Sequence, residues 1–441
     1  MISLAPLTKH NDKSILENKD MKKLWSISMF WLILLLPINA LAEEEMVSVK
    51  LVNFIQDSAK LEIHLQGDYT TLTPLISLEK GGKYTLLVKK GKLFLIDDHG
   101  KHRLPKSITL IPKSYENNLI YINDRPYQGA MEFSIEKGKY IRPVNQLLLE
   151  DYLKGVVPFE VFSTWNLEAL KAQSLAARTY ALMHLNGEKQ MNDTIQFQVY
   201  GGYSTFSKTN QAVEETKGEI ITHNGNPITA FYSASNGGYT ESNANVWGGE
   251  AINYYPVKSD PYDPERPWKF TLNKEQLPNN SFFWAWYSPD IWSHLQAKDE
   301  EITKTMEKWI EKKGYQDVKI LAIPHFSIAE KRNESNRSVK GSITISFMHR
   351  ILGMMMVDEI SLEDVPLSKI RPMIGGSIFK SYLITSTKST ENAYIIKGKG
   401  YGHGVGMSQW GAQKMAEAGK NYKEIIEFYF PGTDITQVYK K

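Results

Sequence analysis

The chain has 441 residues and a formal net charge of +3, from 52 Lys and Arg against 49 Asp and Glu. This near balance gives no argument for a nucleic-acid partner or for a strongly acidic one, and we predict no nucleic-acid binding. The length allows two or three domains with cores of their own. The chain contains no cysteine, which excludes a thiol nucleophile, a disulfide framework and any thiolate metal site.

The N-terminal segment has the features of an export signal. Residues 24–37, LWSISMFWLILLLP, are apolar and follow two lysines, and A-L-A at 40–42 matches the A-x-A cleavage pattern. We therefore predict an exported, extracytoplasmic protein in which residues 1–42 are an upstream extension and a signal peptide, with translation beginning at Met21. The apolar stretch is short for a membrane span, yet an uncleaved anchor is an alternative that the sequence leaves open.

The next part of the chain predicts strands. Residues 47–129 alternate apolar and polar side chains in short runs separated by Gly, Asp and Asn, as half-buried antiparallel strands do. Residues 130–441 form the main part of the chain. Within them, the helical and strand patterns of residues 261–390 predict an inserted subdomain. The predicted fold class is α+β, with mixed helices and antiparallel sheets forming a cleft and a small β region before them.

Residues 147–185 carry two helical patterns around a Gly-Val-Val-Pro break. The second helix has a stripe of small residues that lets another backbone come close, and few positions remain for a solvated face. Its long polar side chains should therefore find partners in a packed or cleft-lining setting. The alternative is a core helix whose polar side chains extend outward to water. The positions concerned are Ala169, Ala172, Ala176 and Tyr180 in the stripe, and Lys171, Gln173 and Arg178 among the polar ones.

Residues 228–242, ITAFYSASNGGYTES, predict a hairpin because a β-rich run precedes Asn236-Gly237 and a second run follows. The hydroxyl groups in this segment either line a polar groove or form local hydrogen bonds. They belong to Ser233, Ser235, Tyr239 and Thr240.

Residues 398–413, GKGYGHGVGMSQWGAQ, place glycine at every second position from 398 to 406. In an extended strand this alternation removes the side chains from one face, which a flat ligand could approach. The alternative is tight packing of two backbones. Ser408 is a predicted N-cap of the helix that follows, and Gly419 its end.

Common catalytic motifs are absent. The glycine spacing does not fit G-x-G-x-x-G, and no G-x-x-x-x-G-K-[ST], G-x-S-x-G or H-E-x-x-H segment occurs. No close spacing of histidine and carboxylate favours a zinc site, and we predict neither a metal nor a cofactor. One carboxylate stands out: Glu160 in GVVPFEVFSTW lies among apolar neighbours, where desolvation would favour the neutral, proton-donating form. A surface carboxylate near a turn is the alternative.

Three segments in order resemble the SpoIID/LytB-domain family: residues 149–182, 230–249 and 398–433. The resemblance spans about residues 145–435, which makes 130–441 a SpoIID/LytB-like core. It implies an exported protein that acts on peptidoglycan glycan strands. In the sporulation members it implies a lytic transglycosylase that cleaves the bond between N-acetylmuramic acid and N-acetylglucosamine and leaves a 1,6-anhydro end.

The glutamate of the family's VP-x-E segment, the catalytic acid and base, corresponds to Glu160 here. One carboxyl group suits this chemistry, because ordinary glycosidases need two whereas here the sugar's own 6-hydroxyl replaces water. The alternative that the resemblance implies is a non-catalytic glycan-binding enhancer of an N-acetylmuramoyl-L-alanine amidase, which would be a protein partner.

The resemblance also implies which residues line the cleft or brace it. Among them His403, Ser408 and Gln409 would supply hydrogen bonds to the glycan. The structural zinc of some family members needs two cysteines, so His184 near that position cannot reproduce it. The implied substrate-binding residues are Lys171, Gln173, Arg178, Tyr180, Ser235, Gly237, His403, Gly404, Ser408 and Gln409.

Overall fold

A computed structural model describes residues 43–440 except 75, 186, 188, 279–291 and 293. The predicted extension and signal peptide at 1–42 lie outside the described residues. No helix within the described ranges combines the length and hydrophobicity that a bilayer crossing needs.

Two antiparallel sheets occupy residues 46–148. The strands are β1 (Met46–Lys50), β2 (Lys60–Gln66), β3 (Tyr69–Thr70), β4 (Lys83–Lys89), β5 (Lys92–Asp97), β6 (Gly100–Arg103), β7 (Ser107–Pro112), β8 (Leu119–Ile122), β9 (Arg125–Gln128), β10 (Ala130–Glu136) and β11 (Tyr140–Leu148). One sheet has the order β1-β11-β10-β7-β3 and the other β6-β5-β4-β2-β8-β9. The predicted N-terminal β region is confirmed.

Period-two burial explains these strands. In β2, Leu61, Ile63 and Leu65 are buried while the residues between them are exposed. The two sheets contribute to a common apolar core, to which the first helices also belong. The domain boundary at 129–130 stays a prediction: β10 and β11, which lie beyond it, pair with each other and with β7 and β1, which lie before it.

The rest of the described chain is mixed α and β, which confirms the α+β class. The helices are α1 (Leu149–Lys154), α2 (Val157–Glu160), α3 (Leu167–Leu185), α4 (Ser207–Glu215), α5 (Asn243–Trp247), α6 (Glu300–Glu311), α7 (Leu367–Ile374), α8 (Gln409–Glu417) and α9 (Tyr422–Tyr429). The strands are β12 (Glu219–His223), β13 (Asn226–Pro227), β14 (Tyr232–Ser233), β15 (Pro267–Asn273), β16 (Lys319–Ile328), β17 (Lys340–Ile351), β18 (Met354–Pro366), β19 (Ile384–Ser389), β20 (Ala393–Lys399), β21 (Met407–Ser408) and β22 (Asp434–Gln437).

Helix α3 is the central helix because it contributes to two apolar cores. Leu170 and Ala177 belong to the core of the N-terminal sheets. Ala169, Ala172 and Ala176 belong to a second core together with residues of α8 and α9, which pack against α3. The small side chains permit this close approach, as the stripe in the sequence predicts.

A third core lies in the region of the predicted insertion. It is built from strands β15 to β17, β19 and β20 and from helices α6 and α7. The predicted strand SVKGSITISFMH is present as most of β17, which pairs antiparallel with β16 and β18. A separate core is what an inserted subdomain requires, although its predicted limits, 261–390, stay a prediction.

The predicted hairpin at 228–242 is wrong. Strand β14 instead pairs in parallel with β21, and Ser235 bridges Tyr401. The turn at Gly237 and Gly238 exists, with φ of 73° and 90°, but the chain after it bridges Ser259 and Val405 rather than β14. Long-range pairing therefore overrides a turn signal that is local.

Candidate active site

Glu160 ends the short helix α2 and lines a cavity of about 490 Å³. Pro158 near the start of α2 fixes the direction in which the helix leaves the Gly155 turn. Among the described lining residues Glu160 is the only carboxylate, and most of the others are aromatic. They are Tyr180, Ile195, Gln196, Phe197, Phe231, Tyr232, Trp247 and His403.

Glu160 is half-buried, and its carboxyl group is largely withdrawn from bulk water. Burial raises its pKa above the ordinary value of 4.5, and two hydrogen bonds, from the Val199 N–H and from the Gln409 side chain, act in the opposite direction. The Val199 N–H donates to Oε1 at 2.9 Å. A carboxyl group that is desolvated yet still oriented by donors has the properties of a general acid.

Tyrosine hydroxyl groups surround this carboxyl group. Burial raises the pKa of Tyr152, Tyr180 and Tyr232, and the charge of Glu160 raises each further. Gln198 links two of them, since its Oε1 accepts from the Tyr152 hydroxyl and its Nε2 donates to the Tyr232 hydroxyl, both at 3.1 Å. The hydroxyls therefore keep their protons and are held in place by a buried amide.

Gln409 is positioned by the residues that mark the two ends of helix α8 in the closing segment. Ser408 is the N-cap of α8, as predicted, and Gly419 follows the helix end with φ of 85°. Gln409 is therefore the first helical residue, and its Nε2 donates to Gln173 Oε1 at 3.4 Å while its amide also bonds Glu160. Gln173 thus reaches Glu160 through Gln409.

The Gln409→Ala variant should move the pH profile of any Glu160-dependent reaction. Loss of the amide removes a hydrogen bond that lowers the Glu160 pKa, so the pKa should rise and the alkaline limb should shift to higher pH. The measurement is kcat/KM against pH, with Lys414→Ala on the exposed face of α8 as the control. An unshifted limb in a folded Gln409→Ala variant would argue against this role.

His403 lies in the cavity wall, where its ring is hydrogen-bonded to the protein backbone. Nδ1 accepts from the Val405 N–H at 3.0 Å, and the ring also bonds the Tyr232 backbone. Burial and the nearby Arg337 charge lower the His403 pKa to about 4, so the ring is neutral at pH 7. Two aromatic rings also adjoin the imidazole: the centre of the Trp247 ring is 5.2 Å away and that of the Phe231 ring 6.0 Å.

The glycine-rich segment is not an extended strand, so that expectation is corrected. Gly400, Gly402, Gly404 and Gly406 have φ of 84°, 114°, 79° and 71°, which is the left-handed region that favours glycine. A Cβ at these positions would lie 2.1 to 3.1 Å from the nearest protein atom. The partners include the backbone of residues 231–237. The alternative of two tightly packed backbones is therefore the observed one.

Gly404 illustrates this packing. A Cβ at Gly404 would lie 2.1 Å from Nη2 of the buried Arg337, and a Cβ at Gly237 would lie 2.7 Å from a Leu383 methyl group. The Arg337 guanidinium in turn donates to the carbonyl groups of Asn236 and Tyr239 at 2.9 and 3.0 Å. In the described structure both glycines adjoin protein atoms and not the Glu160 cavity.

Two buried serines converge on Asp263. Ser235 and Ser408 donate from their hydroxyl groups to Asp263 at 2.7 and 2.6 Å, and the Asn236 N–H adds a third bond at 3.0 Å. The hydroxyl groups thus join the middle and closing segments to each other through Asp263, a carboxylate that no sequence pattern singled out. Neither Ser235 nor Ser408 is among the described residues that line the Glu160 cavity.

Two basic residues of α3 also have protein partners. Arg178 is fully buried and forms a bidentate ion pair with Glu150 at 2.8 and 2.7 Å. Lys171 pairs with Glu168 at 2.9 Å and Glu215 at 2.7 Å. Of the predicted binding residues, Tyr180 and His403 join Glu160 in the cavity wall and Gln409 reaches the carboxylate, whereas Lys171 and Arg178 do not line the cavity.

The sequence interpretation missed the aromatic wall. Phe231, Tyr232 and Trp247 lie inside the family-like segment at 230–249, but aromatic residues in such a segment also suit a core. No motif signalled the turn at 195–197. Trp247 ends a five-residue helix and is followed by two glycines. Because so short a segment has few side chains that could cover an indole, this context was a signal for an exposed tryptophan.

Glu160→Gln should become more stable than the unmodified chain as pH rises. A carboxyl group whose folded pKa exceeds its unfolded value binds more protons when folded, so its contribution to stability falls from about pH 4.5 up through the raised pKa. We expect Glu160→Gln and the unmodified chain to have equal melting temperatures near pH 4. At pH 8 the melting temperature of Glu160→Gln should be the higher of the two. The exposed Glu417, whose pKa Lys414 and Gln413 lower, is the control, because Glu417→Gln should not gain stability. An equal melting temperature of Glu160→Gln and the unmodified chain at pH 8 would contradict a desolvated carboxylate.

The described residues contain no group of three or more His, Asp or Glu side chains arranged to hold a metal ion. His184, the residue near the family's zinc position, stacks on Tyr180 at 4.1 Å between ring centres. Its Nδ1 lies 2.8 Å from the Tyr180 carbonyl oxygen. The prediction that the protein needs no zinc stays a prediction.

Comparison with known proteins agrees with the resemblance seen in the sequence, and the chain belongs to the SpoIID/LytB-domain family. The family model for Stage II sporulation protein matches residues 137–223. That stretch contains Glu160, Gln173, Arg178 and Tyr180.

The relatives differ in what they are called. The chain is 42% identical over 367 residues to the amidase enhancer of Bacillus subtilis, which covers 81% of this chain and 50% of that protein. It is 32% identical over 321 residues to an uncharacterised protein of Brachyspira hyodysenteriae, covering 71% and 73%. It is 28% identical over 318 residues to stage II sporulation protein D of Bacillus subtilis, covering 67% and 76%. The chain spans about half the length of the amidase enhancer.

Proposed function

We propose that this protein is a lytic transglycosylase of peptidoglycan glycan strands and that Glu160 is its general acid and base. The observation that carries the proposal is a single desolvated carboxyl group in a cavity of about 490 Å³, with no second carboxylate among the described lining residues. Retaining and inverting glycosidases would need that second group. The family membership supports the same choice.

The reaction proceeds in two steps. Protonated Glu160 gives its proton to the glycosidic oxygen as the bond from C1 of N-acetylmuramic acid breaks, and N-acetylglucosamine leaves with that proton. The 6-hydroxyl of the same muramic acid then attacks C1, and the Glu160 carboxylate accepts the hydroxyl proton. The acid is regenerated, a 1,6-anhydro bond forms and no water is consumed.

The surroundings of Glu160 suit both steps. Burial favours the neutral acid before the first step, while the donors from Val199 and Gln409 stabilise the carboxylate that exists between the steps. No Lys or Arg is among the described lining residues, so no cation holds Glu160 ionised at the start. The raised pKa increases the protonated fraction of Glu160 above that of an ordinary carboxyl group at the same pH.

Mass spectrometry of digested cell walls tests this proposal. We expect muropeptides that end in 1,6-anhydro-N-acetylmuramic acid, both from intact walls and from glycan whose stem peptides have been removed. Ordinary reducing ends in their place would overturn the proposed reaction. A chain that acts on such walls is exported, in line with the predicted signal segment.

A second candidate function is favoured by the 42% identity to a protein named amidase enhancer. In that case the chain binds glycan and stimulates a separate N-acetylmuramoyl-L-alanine amidase without cleaving sugar bonds. Amidase activity on purified walls, measured with and without this protein, tests it. Stimulation that Glu160→Gln preserves in full would support the enhancer, and no stimulation of a co-purifying amidase would exclude it.

A further inference from the structure

Trp247 presents a half-exposed indole to the Glu160 cavity. Trp247 is 52% exposed at the end of helix α5, and the residues directly after it are exposed as well. The ring centre is 4.5 Å from that of Phe231 and 5.2 Å from that of His403. One part of the indole is therefore fixed by other rings, and the rest borders the cavity.

The helix that carries Trp247 is held firmly. Ser242 caps it by accepting from the Asn245 N–H at 3.2 Å, and the Asn245 side chain donates to the buried Glu241 at 2.8 Å. Gly248, with φ of 81°, ends the helix directly after Trp247. The exposure of the indole is thus a property of a positioned side chain, and such pre-organised aromatic surfaces bind ligands at low entropic cost.

A second exposed apolar side chain borders the same cavity. Ile195 is 90% exposed and occupies the corner of a turn closed by the Phe197 N–H and the Thr194 carbonyl at 3.0 Å. Turn corners favour Gly, Pro, Asn, Asp and Ser, so neither turn chemistry nor core packing calls for isoleucine there. Two apolar groups are therefore left in water beside one carboxyl group.

We propose that Trp247 is the platform on which an aminosugar ring of the glycan stacks, with Ile195 contacting the same stretch of sugar. This inference rests on the proposed function, which puts a glycan strand in the cavity. A β-1,4-linked pyranose with equatorial substituents offers a face of C–H groups, and its N-acetyl methyl group is apolar too. Both match an indole face and an isoleucine and bury apolar area that is otherwise exposed.

Stacking also explains the packing of His403. Its ring is hydrogen-bonded to the protein backbone and its centre lies 5.2 Å from that of the Trp247 ring, so it forms part of the wall that supports Trp247. A neutral ring serves this purpose, because a charged imidazolium would carry a hydration cost inside an apolar wall.

Isothermal titration with a soluble tetramer of β-1,4-linked N-acetylglucosamine tests the platform. The measurement uses the full chain with Glu160→Gln, which separates binding from cleavage. Adding Trp247→Ala should weaken the affinity about tenfold or more, and Trp247→Phe should weaken it less than about threefold. Phe206→Ala is the matched control, since Phe206 is 50% exposed and does not line the cavity.

The outcomes of these measurements distinguish failure of the Trp247 platform from failure of the proposed function. Equal affinity of Trp247→Ala and its parent, with equal melting temperatures, overturns the platform and leaves the proposed function standing. If the parent chain binds no tetramer although the unmodified protein cleaves walls, the platform is again overturned. If the protein neither binds the tetramer nor cleaves walls, the proposed function falls together with the platform. Saturation-transfer NMR on the bound tetramer should show the sugar C–H protons in contact with protein, and this contact should be lost in Trp247→Ala.

Discussion

Glu160→Gln should reduce glycan cleavage by at least about 10³-fold while leaving the protein folded, because general acid–base catalysis contributes about 10²–10⁴-fold and this one group serves both steps. The amide can neither give the first proton nor take the second. It keeps the size of the side chain and one oxygen for the Val199 N–H, which donates at 2.9 Å in the unmodified chain. Release of soluble anhydro-muropeptides from purified walls is the measurement.

Two controls accompany this loss of activity: the binding of the tetramer by Glu160→Gln, and a substitution at an unrelated carboxylate. Glu160→Gln should retain the affinity of its parent for the N-acetylglucosamine tetramer, and Glu417→Gln on the exposed face of α8 should retain full activity. Cleavage by Glu160→Gln at the unmodified rate would remove Glu160 from the mechanism. Loss of tetramer binding together with a lowered melting temperature would instead identify Glu160 as a structural residue.

Arg178→Ala should lower the free energy of unfolding by about 3–5 kcal/mol, the range for removing one partner of a buried ion pair. The remaining partner, Glu150, would be left with its charge in the core, close to the Tyr439 hydroxyl and the Gly218 N–H. Arg178 also donates to the carbonyl groups of Val213 and Glu219 at 3.1 Å, which tie α4 and β12 to α3. Denaturant unfolding followed by circular dichroism measures the effect.

Lys171→Ala is the matched control on the same helix. Its ion pairs with Glu168 and Glu215 are partly exposed, so their loss should cost less than about 1 kcal/mol. The two variants also separate bracing from glycan binding for Arg178. An Arg178→Ala variant of unchanged stability but weakened affinity for the tetramer would show that this arginine binds substrate and would contradict the buried role described above.

Local signals in the sequence predicted a large share of the fold. The alternation in 47–129 gave the N-terminal strands, and the Gly-Val-Val-Pro break separated α1 from α3 with the short α2 between them. Ser408 and Gly419 marked the two ends of α8. These features depend on side chains within a few residues of each other, so a single sequence contains the information for them.

Long-range contacts account for the errors. Asn236-Gly237 is a strong hairpin signal, but β14 lies beside β21, about 170 residues further along the chain. The glycines at 400–406 looked like a strand because their spacing is two, yet each has a positive φ that brings the backbone against residues 231–237 or Arg337. Spacing alone cannot distinguish these conformations, since both need a position without a Cβ.

In the candidate site, too, some residues could be found from local sequence signals and others could not. Glu160 stood out because a carboxylate among Phe, Val and Trp side chains is unusual, and the structure places it in a cavity. Trp247 and Ile195 did not stand out, because an aromatic or aliphatic residue is ordinary until its exposure is known. The resemblance implied that Ser235 and Ser408 line the cleft or brace it. The buried Asp263, which accepts a hydrogen bond from each hydroxyl group, lies outside the family-like segments and could not be found from them.

Digestion in water enriched in oxygen-18 tests most directly whether one sheltered carboxyl group cleaves the glycan without water. Because the 6-hydroxyl of the muramic acid closes the ring in the mechanism above, the new sugar ends should carry no solvent oxygen and should be lighter than reducing ends by one water. Unlabelled anhydro ends that disappear with Glu160→Gln are the expected result. Reducing ends that carry one oxygen-18 atom would show that water attacks C1 and would contradict the mechanism.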